Sequence, residues 1–339
     1  MLLGSVLLTW GVAELVAGPL LHRHLGWFDG AYSALDVDHS LSPRDPDLPT
    51  NSDGVRTPFE PSYFSADGFN LIFLGDSFVF GLGLDYRDTV PLRVERRLRA
   101  RHPDCDVKVV NFGWVSSSPI LSERLLRRIG SNYDPDLVIL GLDMSDFHDD
   151  LKYRRIFEHP GPYRALSKIP IATSALRRLA PDSLAWLLDV WTGSHLPRNR
   201  FFPVDRPLEE TRALVEPLVR SLVRIDETAQ KLGADFATFV FPRNFQYNPD
   251  ESPGSWEAHE YATDGPYKLE PFRFFEELEG RAEFPIHSLL DPFRETDVFP
   301  TCFPNDPHWN RDGAQVAADA IAVVLGERLS REDCAARHE

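Results

Sequence analysis

Residues 70–83 read NLIFLGDSFVFGLG. The run Leu71 to Leu74 is apolar without alternation and stops at Gly75, the pattern of a short strand covered on both faces. Such strands belong to parallel sheets, and the chain downstream supplies the rest of one. Residues 89–101 set Val90, Leu92, Val94 and Leu98 among arginines, an amphipathic helix with Asp88 or Thr89 as its cap. A second strand is expected over 107–112 (VKVVNF), a helix over 120–129, and a third strand over 137–142 (LVILGL). Leu214, Val215, Leu218, Leu222 and Ile225 then keep helical spacing up to Gly233, with Pro217 as the place for a kink. FATFVF at 236–241 reads as a fourth strand, 269–278 as a helix, 284–290 as a short fifth strand, and about 312–329 as a closing helix. Strands and helices alternating through short links predict an α/β fold, a parallel sheet of about five strands covered by helices.

Outside that pattern the chain changes character. Residues 1–21, MLLGSVLLTWGVAELVAGPLL, are apolar apart from Thr9 and Glu14. As a helix they would span about 30 Å, so residues 1–24 are expected to form a membrane anchor. Prolines 43, 46, 49, 58 and 61 make residues 25–67 an extended spacer. The folded domain is expected over 68–330, with a helical insertion at about 151–225, followed by a tail at 331–339.

The 339 residues are 42% hydrophobic, enough for a sizeable core. Lysine and arginine number 36 against 52 aspartates and glutamates, a net charge of −16 that repels phosphate backbones and excludes non-specific nucleic-acid binding. Cys105, Cys302 and Cys334 have no C-x-x-C spacing and read as three separate thiols, with one pair open to an exported protein. Neither a phosphate loop nor a dinucleotide fingerprint is present, so no cofactor is expected. His148 with Asp143, Asp146, Asp149 and Asp150 reads as a solvated acidic loop rather than a metal site.

Four segments fall at the ends of predicted elements, where loops of a parallel sheet converge. Ser77 follows the first strand in Gly75-Asp76-Ser77-Phe78, at the start of a helix, where its hydroxyl is exposed and its own N–H unpaired. Asn111-Phe112-Gly113 ends the second strand, and glycine there lets a bare amide approach a ligand. Ser145-Asp146 follows the third. Asp306-Pro307-His308-Trp309-Asn310 precedes the last helix, so that Asp306 reaches back to the His308 ring Nδ1 and leaves Nε2 free to accept a serine proton.

In order and spacing these pieces resemble the four blocks of the SGNH hydrolase superfamily, also called GDSL esterases and lipases, in particular membrane-associated members with a D-x-H last block. GDSFVFGLG matches the first block, NFG resembles the second and DPHWN-x-x-G the last, over about residues 68–150 and 234–328. The resemblance implies a flavodoxin-like three-layer α/β/α sandwich and a serine hydrolase working through an acyl-enzyme. It makes Ser77 the nucleophile, His308 the base and Asp306 its acid, with oxyanion donors at the Ser77 and Gly113 amides and the Ser145 hydroxyl as a third donor in place of the family's Asn. Two positions depart from the family pattern. Its third block normally carries Asn where this chain has Ser145, and its acid commonly lies three residues before the histidine, where this chain has Asn305. Asp291 is the alternative acid by position. The substrate expected is a small-molecule or glycan ester. The alternatives are an O-acetyltransferase or acetylesterase on an envelope polysaccharide, favoured by the anchor, and a non-catalytic binding protein, favoured by the missing Asn. The catalytic domain is expected on the extracytoplasmic side of the membrane.

Overall fold

The computed structural model describes residues 48–64, 68–158, 196–197, 199–261 and 263–329. Its sheet holds β1 (Phe69–Gly75), β2 (Val107–Gly113), β3 (Leu137–Leu142), β4 (Asp235–Val240) and β5 (Ile286–Ser288). All four pairings are parallel and the order is β2-β1-β3-β4-β5. This is the flavodoxin-like order, and it changes direction between β1 and β3. In register, Gly75 lies level with Gly113 on one side and Gly141 on the other, so three glycines line the carboxyl edge of the sheet.

Alternation of side chains makes the layers. Leu71, Phe73, Val109, Ile139 and Phe239 point to one face, where α2 (Val90–Arg101) and the last helix, α10 (Arg311–Arg328), cover them with Val94, Leu98, Ala317 and Ile321. Ile72, Leu74, Val110, Val138 and Leu140 point to the other, against α3 (Pro119–Ile129), α4 (Asp146–Glu158) and α5 (Leu208–Lys231). The result is a three-layer α/β/α sandwich. Helix α5 runs through Pro217 and buries Val215, Leu218, Leu222, Ile225 and Ala229 on its inner side. The remaining elements are α1 (Ser77–Phe80), α6 (Asn244–Tyr247), α7 (Trp256–Glu260), α8 (Glu270–Glu279), α9 (Leu290–Glu295) and an antiparallel hairpin, β6 (Cys302–Phe303) with β7 (Asp306–Trp309), outside the main sheet.

The proposed anchor (1–24), the core of the expected insertion (159–195) and the tail (331–339) lie outside the described residues. The insertion is narrower than 151–225, because residues 151–158 complete α4 and 208–225 belong to α5, both core helices. The spacer expected over 25–67 also needs correction at its end. Val55, Arg56, Thr57 and Phe64 are buried, and Arg56 pairs with Asn111 of β2 across an isolated bridge. Its guanidinium donates to the carbonyls of Phe80, Gly81 (3.0 Å) and Leu84 (2.6 Å), at and just past the end of α1. Proline density signals that a segment is neither helix nor central strand, and says nothing about whether it packs. The three-thiol reading gives way as well. Cys105 is disulfide-bonded and Cys302 is a buried free thiol, while Cys334 lies outside the described residues.

Gly113 has a packing role. A Cβ there would lie 2.2 Å from the Phe80 nitrogen and 2.6 Å from the Val79 carbonyl carbon, so α1 rests directly on the β2 backbone. Gly113→Ala should therefore cost about 1–3 kcal/mol in urea denaturation, the usual range for overpacking a filled interior. An unchanged midpoint would mean that α1 can lift away from the sheet.

Candidate active site

Ser77 is the first residue of α1, immediately past β1 and beside the point where the strand order reverses. The turn is tight: a Cβ on Gly75 would meet Val79 Cγ2 at 2.4 Å and the Gly141 carbonyl oxygen at 2.7 Å. Asp76 caps α1, its carboxylate accepting the Phe78 N–H at 2.9 Å. The Ser77 N–H has no acceptor among the described residues.

From 231 positions away, the β6–β7 hairpin brings His308 to the same place. Ser77 Oγ lies 2.8 Å from His308 Nε2, and His308 Nδ1 contacts Asp306 Oδ1, which also accepts the His308 main-chain N–H at 2.9 Å. The three side chains form one hydrogen-bonded chain. A proton on Nδ1 serves the carboxylate and leaves the Nε2 lone pair for the serine hydroxyl. Burial works to raise the Asp306 carboxyl, but hydrogen bonding and charge from His308 outweigh it and hold it below the ordinary carboxylate value. The DPHWN sequence builds this locally. Trp309 stacks on Phe293 at 4.7 Å and packs edge-on to Phe78, anchoring the strand from behind. Asn310 caps α10 through the Asp312 and Gly313 N–H groups and donates to the Pro300 and Cys302 carbonyls. Asp291 is exposed on α9 and is not part of the chain.

Gly113 and Ser145 stand differently from their sequence readings. The Gly113 N–H donates to Asn111 Oδ1 at 2.8 Å, so a bare amide is not what this glycine supplies. Ser145 is 1% exposed and its single hydroxyl proton goes to Asp143 Oδ1 at 2.7 Å. A residue that sequence reasoning missed lies three positions beyond Gly113. Ser116 has φ 59°, in the left-handed region, and its N–H has no acceptor among the described residues. Its loop is tied beside the Ser77 turn, with the Trp114 N–H on the Gly75 carbonyl at 3.0 Å and Tyr153 Oη donating to the Ser116 carbonyl at 2.9 Å. A serine carries no sequence signal for such a conformation.

The acids after β3 are a buried network, not a solvated loop. Asp143, Asp146, Asp149 and Asp150 are buried, and each has a partner. Arg243 bridges Asp143 and Glu257 (2.7 Å to the latter), Arg200 pairs with Asp149 at 2.5 Å, and Arg154 with Asp150 at 3.0 Å. The Asp143 N–H donates to Asp146. Arg200 and Arg243 come from distant parts of the chain, so a local reading of the acidic run cannot see them. The Arg243 guanidinium also lies over the Phe78 ring, 4.8 Å from its centroid. Among the described residues no group of three or more His, Cys, Asp or Glu side chains is arranged to hold a metal. Among the aromatic residues near these loops, Phe201 and Phe202 are core residues and Trp256 is 37% exposed.

No protein-family model matches the chain, and no curated protein matches it. Among solved structures it is similar to TesA, at 14% identity and a TM-score of 0.45 over 77% of this chain and 99% of that one. It is also similar to the psychrotrophic esterase EstA from a Pseudoalteromonas species, at 13% identity and a TM-score of 0.43 over 76% and 97% of the two chains. A third similar structure is a variant of Axe2, an acetyl-xylooligosaccharide esterase from Geobacillus, at 14% identity and a TM-score of 0.43 over 78% and 95%.

Two tests follow from this geometry. An oxyanion donor is worth about a hundredfold to a thousandfold in rate. Ser145→Ala should instead lower stability by about 1–3 kcal/mol, by leaving buried Asp143 short of a donor, while ester turnover changes less than about threefold. A hundredfold loss of turnover at unchanged stability would return Ser145 to the oxyanion site. The second test concerns Asp76, whose carboxyl is pushed up to about 8 by burial and by the neighbouring Asp143 charge. The unfolded chain ionises this group near 3.8, so between those values only the folded state keeps the proton. Stability is then lost as pH rises through that window. Asp76→Asn keeps the cap acceptor and removes the proton, so it should gain stability relative to the parent between pH 4.5 and 7.5 in urea titrations. Parallel curves would mean that Asp76 is already ionised.

Proposed function

We propose that this chain is a serine-dependent hydrolase of small acyl esters, of the SGNH type, working through an acyl-enzyme. The observation that carries the reading is the 2.8 Å contact from Ser77 Oγ to His308 Nε2, with Asp306 on the other ring nitrogen. In the reaction Ser77 Oγ attacks the ester carbonyl carbon while its proton passes to Nε2. The ionised Asp306 stabilises the imidazolium that results. The oxygen of the tetrahedral intermediate takes its hydrogen bonds from the main-chain N–H groups of Ser77 and Ser116, neither of which has an acceptor among the described residues. His308 returns the proton to the leaving alkoxide as the ester C–O bond breaks. Water, deprotonated by His308, then attacks the acyl-serine and releases the acid.

A small acyl group is supported by the tightness of the site. Ser77 is 7% and His308 8% exposed, with Phe78, Leu82, Leu84 and Trp309 packed around them. A second reading, acetyl removal from or transfer to a glycan hydroxyl, is favoured by Trp256. Its exposed ring stands on α7, which packs against β7 beside Asp306, and offers an apolar face to a sugar. In that case a sugar hydroxyl replaces water in the second step. The disulfide at Cys105 supports an extracytoplasmic location, as does the apolar 1–24 segment as an anchor. No helix among the described residues is long and apolar enough to cross a membrane.

The test is turnover of p-nitrophenyl acetate and butyrate by the parent and Ser77→Ala, with an alkylphosphonate as covalent probe. Acetate hydrolysis should exceed butyrate hydrolysis, and Ser77→Ala should lose at least about a thousandfold together with all labelling. Added acetylated xylooligosaccharide acceptors separate transfer from hydrolysis. Absence of labelling and of Ser77-dependent turnover in the parent would leave a non-catalytic binding protein.

A further inference from the structure

The base and its acid stand on a two-stranded hairpin that forms no part of the main sheet. A hairpin of this size is not rigid by itself, so the 2.8 Å reach to Ser77 depends on whatever grips β6 and β7 from outside. Residues 251–254 do so at three points. Glu251 is 2% exposed, and its Oε1 accepts the Thr301 N–H at 2.7 Å and the Thr301 hydroxyl at 2.8 Å. Its Oε2 accepts the Cys302 N–H at 3.1 Å. Ser252 Oγ donates to the Asp306 carbonyl at 3.0 Å, and the Gly254 N–H donates to the Pro304 carbonyl at 3.1 Å. Ser252 is held at φ 48°, a conformation that a serine keeps only where its surroundings fix it. The same segment continues into α7, where Glu257 pairs with Arg243 and through it with Asp143 beyond β3.

Glu251 has no cationic partner among the described residues and takes no part in the reaction steps above. Three donors on one buried carboxylate are the arrangement of a fixed strut, because each N–H and O–H has a defined direction. We propose that Glu251 is a positioning residue for the base. Through Thr301 and Cys302 it sets β6, through the Cys302–Trp309 and Phe303–Asp306 pairings it sets β7, and so it holds His308 Nε2 on Ser77. This rests on the hydrolase reading above. Misplacing a reacting group by about 1 Å costs up to roughly a hundredfold in rate.

The experiment uses the full chain and p-nitrophenyl acetate, with active sites counted by labelling with an alkylphosphonate carried to its endpoint. In Glu251→Gln an amide NH2 replaces one acceptor and faces an N–H. kcat per labelled site should fall about 10–100-fold, KM should stay within about twofold, and labelling should slow but reach the parental endpoint. Thr301→Val, which keeps the carboxylate and both main-chain donors, should fall by a smaller factor, and Thr301→Ser should retain parental kcat. An unchanged kcat per labelled site in Glu251→Gln, with only fewer active molecules, would make Glu251 merely structural and overturn the proposal. A rise in KM at constant kcat would do the same. Should Glu251→Gln fail to fold, a parental kcat per site in Thr301→Val overturns it. If the parent shows no Ser77-dependent turnover, the hydrolase reading itself falls and takes this role with it.

Discussion

The contact between Ser77 Oγ and His308 Nε2 joins two supports of unequal stiffness. The serine sits on a turn locked between three strands, where Gly75 and Gly113 allow backbone to meet backbone with no room for a methyl group. The histidine sits on a short ribbon held by side chains, namely Trp309 in its aromatic pocket, Asn310 on the carbonyls of Pro300 and Cys302, and Glu251 on the opposite strand. Alignment of the pair is therefore decided at the ribbon. This accounts for the buried polar groups that collect in the loop between β4 and α8, against the ribbon.

Beneath Ser77 lies a second constraint, electrostatic in kind. Asp76, Asp143 and Asp146 crowd together with Arg243, and burial with mutual repulsion keeps the carboxyls of Asp76 and Asp146 well above their ordinary values. A carboxyl that retains its proton adds no charge beside Ser77. Arg243 spans Asp143 and Glu257, joining the acid-rich loop after β3 to the loop that grips the hairpin. The two halves of the site consequently share one buried cation.

Much of this was legible in the chain itself. Strands covered on both faces carry uninterrupted apolar runs, so NLIFLG and LVILGL disclosed the sheet, and the polar residues at their ends disclosed where chemistry gathers. That Ser77, Asp306 and His308 come together was readable because each combines a distinctive side chain with a rigid local setting. Backbone roles were not. Gly113 reads as an open amide, yet its hydrogen already belongs to Asn111 and its missing Cβ makes room for α1. Ser116 reads as one serine in a run of three, because φ is a property of the folded loop and not of the residue type. The acids at 143–150 read as solvated because their partners, Arg200 and Arg243, lie outside any local window.

Arg56 carries a final consequence. It comes from the segment ahead of β1, yet its guanidinium closes the carbonyl end of the very turn that presents Ser77. A chain trimmed to start at residue 68 would retain all five strands and lose that closure. A domain boundary drawn from strand content alone would separate the Ser77 turn from the side chain that closes it.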